Sequence, residues 1–243
     1  MARVGARLAV ACLLVGGFGA RLHGQERHWS PSRKYYAVSQ PGRTVGQGEE
    51  QERFVIYTGR GKRVSIAHIW TKEPTGARRV GIRGCERWGW IDDARLFCEG
   101  SINPSTGVYL VFDAATGREL REHIGSHFVW SPRHSRVASF GNVPHFTPEE
   151  NKSDSLEIDG RVVYPGKDDR ERHWFRSQPV WSADGRQVAV VDHRQSDSSL
   201  WLIIVSIDGR VAAELLARGV PRTEWPPKRD RSLRWGRQRF VVE

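Results

Sequence analysis

The sequence predicts an all-β fold of repeated four-stranded antiparallel units, and three observations carry that prediction. A decapeptide recurs as WSPSRKYYAV from Trp29, WIDDARLFCE from Trp90, WSPRHSRVAS from Trp130 and WSADGRQVAV from Trp181. Its eighth position is apolar or aromatic in every copy (Tyr36, Phe97, Val137, Val188). Each copy is followed by a Gly-Arg pair, Gly59–Arg60, Gly117–Arg118, Gly160–Arg161 and Gly209–Arg210, at 30, 27, 30 and 28 residues from its Trp. Helical periodicity is weak beyond the N-terminal stretch, whereas short apolar runs bounded by Gly turns are the mark of hairpins.

The first element is not part of the repeat. Arg3 and Arg7 precede an apolar run from Leu8 to Ala20, too short to span a bilayer, and small residues follow at Gly16, Gly17, Gly19 and Ala20. This pattern predicts a secretory signal peptide over residues 1–24, with Cys12 inside it, and a single domain over 25–243. The alternative is an uncleaved segment that anchors the chain to the membrane. Either way the chain is exported, periplasmic or secreted. Loss of Arg3, Arg7 and Arg21 lowers the formal charge from +10 to +7. That balance favours anionic surroundings, a protein or an anionic envelope component, and export excludes nucleic acid as the partner.

The repeated units come next. In the best-preserved one, Pro179–Leu215, an apolar run ends at Trp181 and turns through Ser-Ala-Asp-Gly into Gln187–Val191. A polar loop at His193–Ser199 leads to Leu200–Ser206, and Asp208–Gly209 turns into Val211–Leu215. Gly supplies the positive φ that such turns require. Three copies depart from that pattern, the Trp90 copy continuing Ile-Asp-Asp and the Trp29 and Trp130 copies lacking the Asp-Gly, and Thr75–Gly76 offers a second turn in the first unit. From each Gly to the next Trp the distance is 31, 13, 21 and 26, so the variation sits in the connections. Trp235 opens a last copy, WGRQRFVVE, with room only for a hairpin.

Four-stranded units at this period predict a β-propeller of about four full blades plus a C-terminal hairpin, open or irregular because the count does not close a ring. Completion by a partner or by a homodimer is the expectation. The repeated Trp29, Trp90, Trp130, Trp181 and Trp235 are expected to pack between blades. The Trp-Ser-Pro/Ala-Asp-Gly-Arg-x-apolar pattern followed by Gly-Arg resembles the WSPDG-type repeat of the TolB-type β-propellers. It is similar to the propellers of prolyl-oligopeptidase-like peptidases as well. The resemblance covers about Trp29 to Glu243 and implies a fold, together with protein binding or the gating of a neighbouring catalytic domain.

Cys85 and Cys98 flank a predicted turn at Asp92–Ala94 and could face one another across its strands. A disulfide and a pair of buried thiols both remain open there.

The strand order also divides the surface. In an antiparallel blade the first and third turns share one face, and the second loop and the interblade connection share the other. All segments of variable length therefore fall on one face, which is the candidate binding surface. It carries Arg43, Glu49, Glu50 and Glu52, then Glu149, Glu150 and the KDDRERHW stretch Lys167–Trp174. His145, Arg172, His173, His193 and Arg194 are its candidate ligand-binding residues. Three histidines converging at a channel mouth would suit a metal, but their spacing does not require one, and no cofactor or metal is expected. A basic-aromatic end, Trp225–Phe240, suits a polyanion or simply a charged edge.

The chain contains no GxSxG elbow, HExxH helix, Walker loop or GxGxxG turn. The leading expectation is an exported binding or scaffold protein working through the variable-loop face. The alternatives are a propeller hydrolase or lyase using Glu149, Asp169, His173 and His193, and a polyanion-binding module.

Overall fold

The computed structural model describes residues 26–77, 82–104, 106–144, 146–221 and 227–243; the predicted export segment and His145 lie outside them. Four blades and a hairpin follow one another along the chain. The first blade comprises β1 (His28–Trp29), β2 (Tyr35–Pro41), β4 (Gly48–Thr58) and β5 (Arg63–Lys72), with β3 (Thr44–Val45) folded onto β4. The second comprises β6 (Arg87–Asp92), β7 (Arg95–Asn103), β8 (Thr106–Asp113) and β9 (Glu119–Trp130).

β9 then continues into the third blade. Its first half pairs with β8 and its last residues with β10 (Val137–Phe140), which pairs in turn with β11 (Leu156–Ile158) and β12 (Arg161–Tyr164). The spacing of 13 from Gly117 to Trp130 leaves no room for a loop, so the outer strand of one blade becomes the inner strand of the next. The fourth blade places β13 (His173–Phe175) and β14 (Val180–Trp181) against β15 (Gln187–Arg194), followed by β16 (Ser199–Ser206) and β17 (Val211–Ala217). β18 (Leu233–Gly236) and β19 (Arg239–Val242) form the terminal hairpin, and among the described residues no strand pairing joins it to the first blade. Among the described residues no closed ring forms, as an open or irregular propeller requires.

The recurring Trp-Ser turn has one geometry in three copies. Ser30, Ser131 and Ser182 each accept, through the backbone carbonyl, from the N–H three residues on, at 2.8, 2.8 and 2.9 Å. Their hydroxyls accept from the N–H of Tyr35, Arg136 and Gln187 at 3.2, 3.2 and 3.0 Å. The residue that takes the left-handed backbone is Gly185 in one copy but Arg33 and His134 in the others, at φ 59° and 50°. The seryl hydrogen bonds hold that conformation where Asp-Gly is missing. In the first blade the left-handed residue of the third turn is Gly61 (φ 86°), two places beyond the Gly59 that the Gly-Arg pattern marks.

Each later Trp reaches back to the blade before it. The indole N–H of Trp90 donates to the His28 carbonyl at 2.8 Å, that of Trp130 to the Tyr109 hydroxyl, and that of Trp181 to the Val129 carbonyl at 2.9 Å. Trp235 packs with Phe240 among Ala189 and Leu202 of the fourth blade. Trp29, in the first of the described blades, is 38% exposed. The interblade cores are otherwise aliphatic and aromatic: Phe54, Ala67 and Ile69 against Val108, Leu110 and Phe112, and Phe140, Leu156 and Tyr164 against Phe175, Val190 and Ile203.

Cys85 and Cys98 are joined in a disulfide, with Cα atoms 5.4 Å apart, at the edge of the first of these cores. A crosslink spanning 13 residues removes about 3 kcal/mol of chain freedom from the unfolded state.

Candidate functional site

The variable segments come together on one face, stitched to one another. Thr106 in the second blade donates to the Asn142 side chain in the third at 2.9 Å. The 141–155 loop reaches the fourth blade through Asp154 N–H to His173 O (2.7 Å) and His173 N–H to the Ser153 hydroxyl (3.1 Å). Gln195 N–H donates to Arg172 O at 3.1 Å, Ser196 N–H to the Glu171 carboxylate at 2.8 Å, and Val220 N–H to Ser198 O at 2.8 Å. The turns cluster separately, as where Ser32 N–H meets the Asp93 carboxylate at 3.0 Å and Arg121 and Arg136 share Asp159.

Where the third and fourth blades meet lies a buried polar cluster built on β13 and β15. Their register sets His173 opposite Arg194, Trp174 opposite His193 and Phe175 opposite Asp192. Alternation along the strands therefore puts His173, Asp192 and Arg194 on one face of the sheet and His193 on the other. His173 and His193 do not converge. His173 Nδ1 donates to Asp192 Oδ2 at 2.7 Å, and the Tyr164 hydroxyl donates to the same oxygen at 2.7 Å. His173 Nε2 faces Asp169 on the interblade connection at 3.4 Å. The Arg194 guanidinium lies over the Trp201 ring, 4.4 Å from its centre. Arg172 sits half-buried on the connection between the third and fourth blades.

Electrostatics separate the two histidines. Burial opposes charge on His173, but Asp192 and Asp169 on its two nitrogens outweigh it and raise the imidazole pKa above its ordinary value. Burial lowers the pKa of His193, with Arg176 adding to the effect. Protonation of His173 places a proton on Nε2, toward Asp169, and so ties the 165–172 connection to the fourth blade.

The sign of the pH dependence follows. A raised folded-state pKa contributes stability that is full below about 6.5, the unfolded value, and is lost as pH rises through the folded one. Burial lowers the pKa of His123, His127 (to about 4) and His193, and their contributions are lost in the opposite direction, as pH falls. Thermal stability should therefore peak near pH 6.5 and decline toward pH 8, and calorimetry should show that alkaline decline flattened in His173→Gln.

Sequence reasoning named His173 but missed Tyr164 and Asp192, which hold it. The period-2 alternation of Asp192-His193-Arg194 was a usable signal for which side chains share a face; the partnership with Tyr164, 28 residues from Asp192, was not. Glu149 pairs with Lys152 at 3.1 Å on the 141–155 loop, apart from the Asp169–His173–Asp192 row. Among the described residues no three ligating side chains gather as a metal site. Two further ion pairs dock the C-terminal segment here: Arg229 grips Asp154 through both oxygens at 2.8 and 3.2 Å, and Arg176 grips Asp230.

No family model and no curated protein matches the chain. Among solved structures it is similar to TolB from Acinetobacter baumannii, with 14% identity, 81% of this chain and 44% of that one covered, and a TM-score of 0.35. It is similar as well to Kuenenia stuttgartiensis hydrazine synthase (14%, 88% and 69% covered, TM-score 0.37). A third similar structure is the β-propeller domain of the Trilobed protease from Pyrococcus furiosus, whose topology is described as open velcro (13%, 82% and 70% covered, TM-score 0.35). The chain spans less than half the length of that TolB structure. Consecutive four-stranded antiparallel blades, joined through a repeated Trp-Ser turn, decide the fold. It is a β-propeller. Propellers of this kind offer a rigid scaffold with one face of variable loops, which is the arrangement found here.

Proposed function

We propose that this protein is an exported scaffold that engages a protein or cell-envelope component through its variable-loop face. The carrying observation is Phe146. It is 89% exposed, more than any other large hydrophobic among the described residues, and it stands on the longest second loop of any blade. The base of that loop is clamped by Asp154 and Ser153, so its tip is presented from a fixed footing. Aromatic side chains, Phe among them, are enriched in the contacts proteins make with one another. Burial of His173 and Asp192 supports the scaffold reading over the hydrolase reading, since a catalytic pair must reach its substrate.

Phe146→Ser should abolish capture of the partner from the organism's own envelope fraction while leaving the melting temperature within about 1 °C, as expected for a surface change. Capture that survives Phe146→Ser and an exchange of loop 143–153 would overturn the reading. Export itself is checked by N-terminal sequencing of the mature protein, with a start near residue 25 expected. Completion of the open propeller by a second copy would show as a concentration-dependent mass in light scattering.

A further inference from the structure

The first strands of four successive blades converge on a cleft that the loop-face reading does not use. It has a volume of about 620 Å³, within the range of small-ligand sites. His28 enters it from β1, Trp88 from β6, Trp130 from the second half of β9 and Gln178 from the segment between β13 and β14. Because each is on or beside the innermost strand of its blade, the cleft lies on the axis around which the blades are arranged.

Its chemistry is specific. Aromatic lining comes from Trp88, Phe97 and Trp130, and Trp88 is steadied by ring contacts with Phe54 (4.5 Å between centroids) and His28 (4.0 Å). Phe97 is laid open by the residue above it. Gly89 sits directly opposite Phe97 in the β6–β7 register, and a Cβ there would rest 3.5 Å from the ring. The Gly89 backbone is not left-handed, so the local conformation does not require glycine. What the missing side chain does is leave the aromatic floor bare.

The polar groups are mixed and nearly balanced. Arg87 is paired with Glu99, and Glu86 adds a second carboxylate, hydrogen-bonded to the Ser101 hydroxyl. The cleft is thus neutral to acidic on a chain of net charge +10, which turns away a polyanion. Aromatic faces with Glu, Gln, His and Arg edges offer stacking together with both donors and acceptors. Hydroxyl pairs on a flat apolar ring match that combination.

We propose that the axial cleft binds a pyranose ring of a neutral oligosaccharide, stacked beside Gly89 on the part of Phe97 that a larger side chain at position 89 would cover, and hydrogen-bonded at its edge by Glu86 and Gln178. The site is independent of the Phe146 loop, so neither proposal depends on the other.

Titration of the purified protein with cellohexaose, chitohexaose, mannohexaose and laminarihexaose, followed by calorimetry and tryptophan fluorescence, tests it. At least one should bind saturably and shift the emission of Trp88 and Trp130. Gly89→Leu, which lays a side chain across Phe97, should weaken that binding at least tenfold with the melting temperature unchanged. If Gly89→Leu fails to fold, the exposed variants Gln178→Ala and Glu86→Ala decide, each expected to weaken binding several-fold. Heparin and a mixed decapeptide library are the competitors. Silence from all four sugars, affinity indifferent to every variant, or displacement of bound sugar by heparin or the peptides would overturn the proposal.

Discussion

Trp181→Ala should destabilise the protein by about 3–5 kcal/mol, the largest loss expected from any single core truncation. Trp181 is 6% exposed and packs with Ala138, Ile158, Val188 and Val205, where the third and fourth blades meet. Truncation removes a large apolar surface, opens a cavity that the rigid strands cannot collapse into, and strips the Val129 carbonyl of its indole donor. The same change at Trp29 should cost far less, on the order of 1 kcal/mol, because that residue is 38% exposed and its ring pairs with Tyr36 of its own blade. Urea unfolding of the two variants checks the contrast. Equal losses would mean that the repeated Trp acts within its blade rather than between blades.

The contrast also shows what the repeat could and could not reveal. Trp at each blade start, the apolar eighth position and the Gly-Arg third turn are local signals, and all fall where the strands require them except that the first blade turns on Gly61 rather than Gly59. The loss of Asp-Gly in two copies did not change the turn, because Ser30 and Ser131 carry the hydrogen bonds that fix it. The strand shared by two blades was present only as an arithmetic hint, the short spacing before Trp130. The loop face was legible because antiparallel order alone assigns loops to faces. The buried cluster was legible in part: His173, Arg172, His193 and Arg194 lie on adjoining segments, but alternation sends His193 away from the others. Tyr164, Asp154 and Arg229 escaped because pairings across 28 and 75 residues leave no local trace. The axial cleft escaped for a similar reason, since four blades must be stacked before their first strands meet.

The pairing across 75 residues yields the second large effect. Arg229→Met should cost about 3–5 kcal/mol, as breaking a buried ion pair does when one charge is left behind. Asp154 is 4% exposed and already accepts from Phe175 N–H at 2.7 Å. Burial pushes its carboxyl upward, with Arg229 pulling the other way, so the variant retains a buried acid whose charge has lost its counterion. Arg229 also donates to the Phe175 carbonyl and covers the Phe140 ring at 4.7 Å, which makes it the pin that holds the 227–243 segment on the loop side of the fourth blade. The deficit should therefore depend on pH in a defined direction. Protonation of Asp154 at low pH removes the orphaned charge, so the gap between variant and wild type should narrow from pH 7.5 to pH 5, and Asp154→Asn introduced beside Arg229→Met should recover part of the loss at pH 7.5. Denaturant titrations of the three proteins at both pH values decide it. A deficit that ignores pH and resists the second substitution would assign the whole effect to lost packing on Phe140, and the buried charge would drop out of the account.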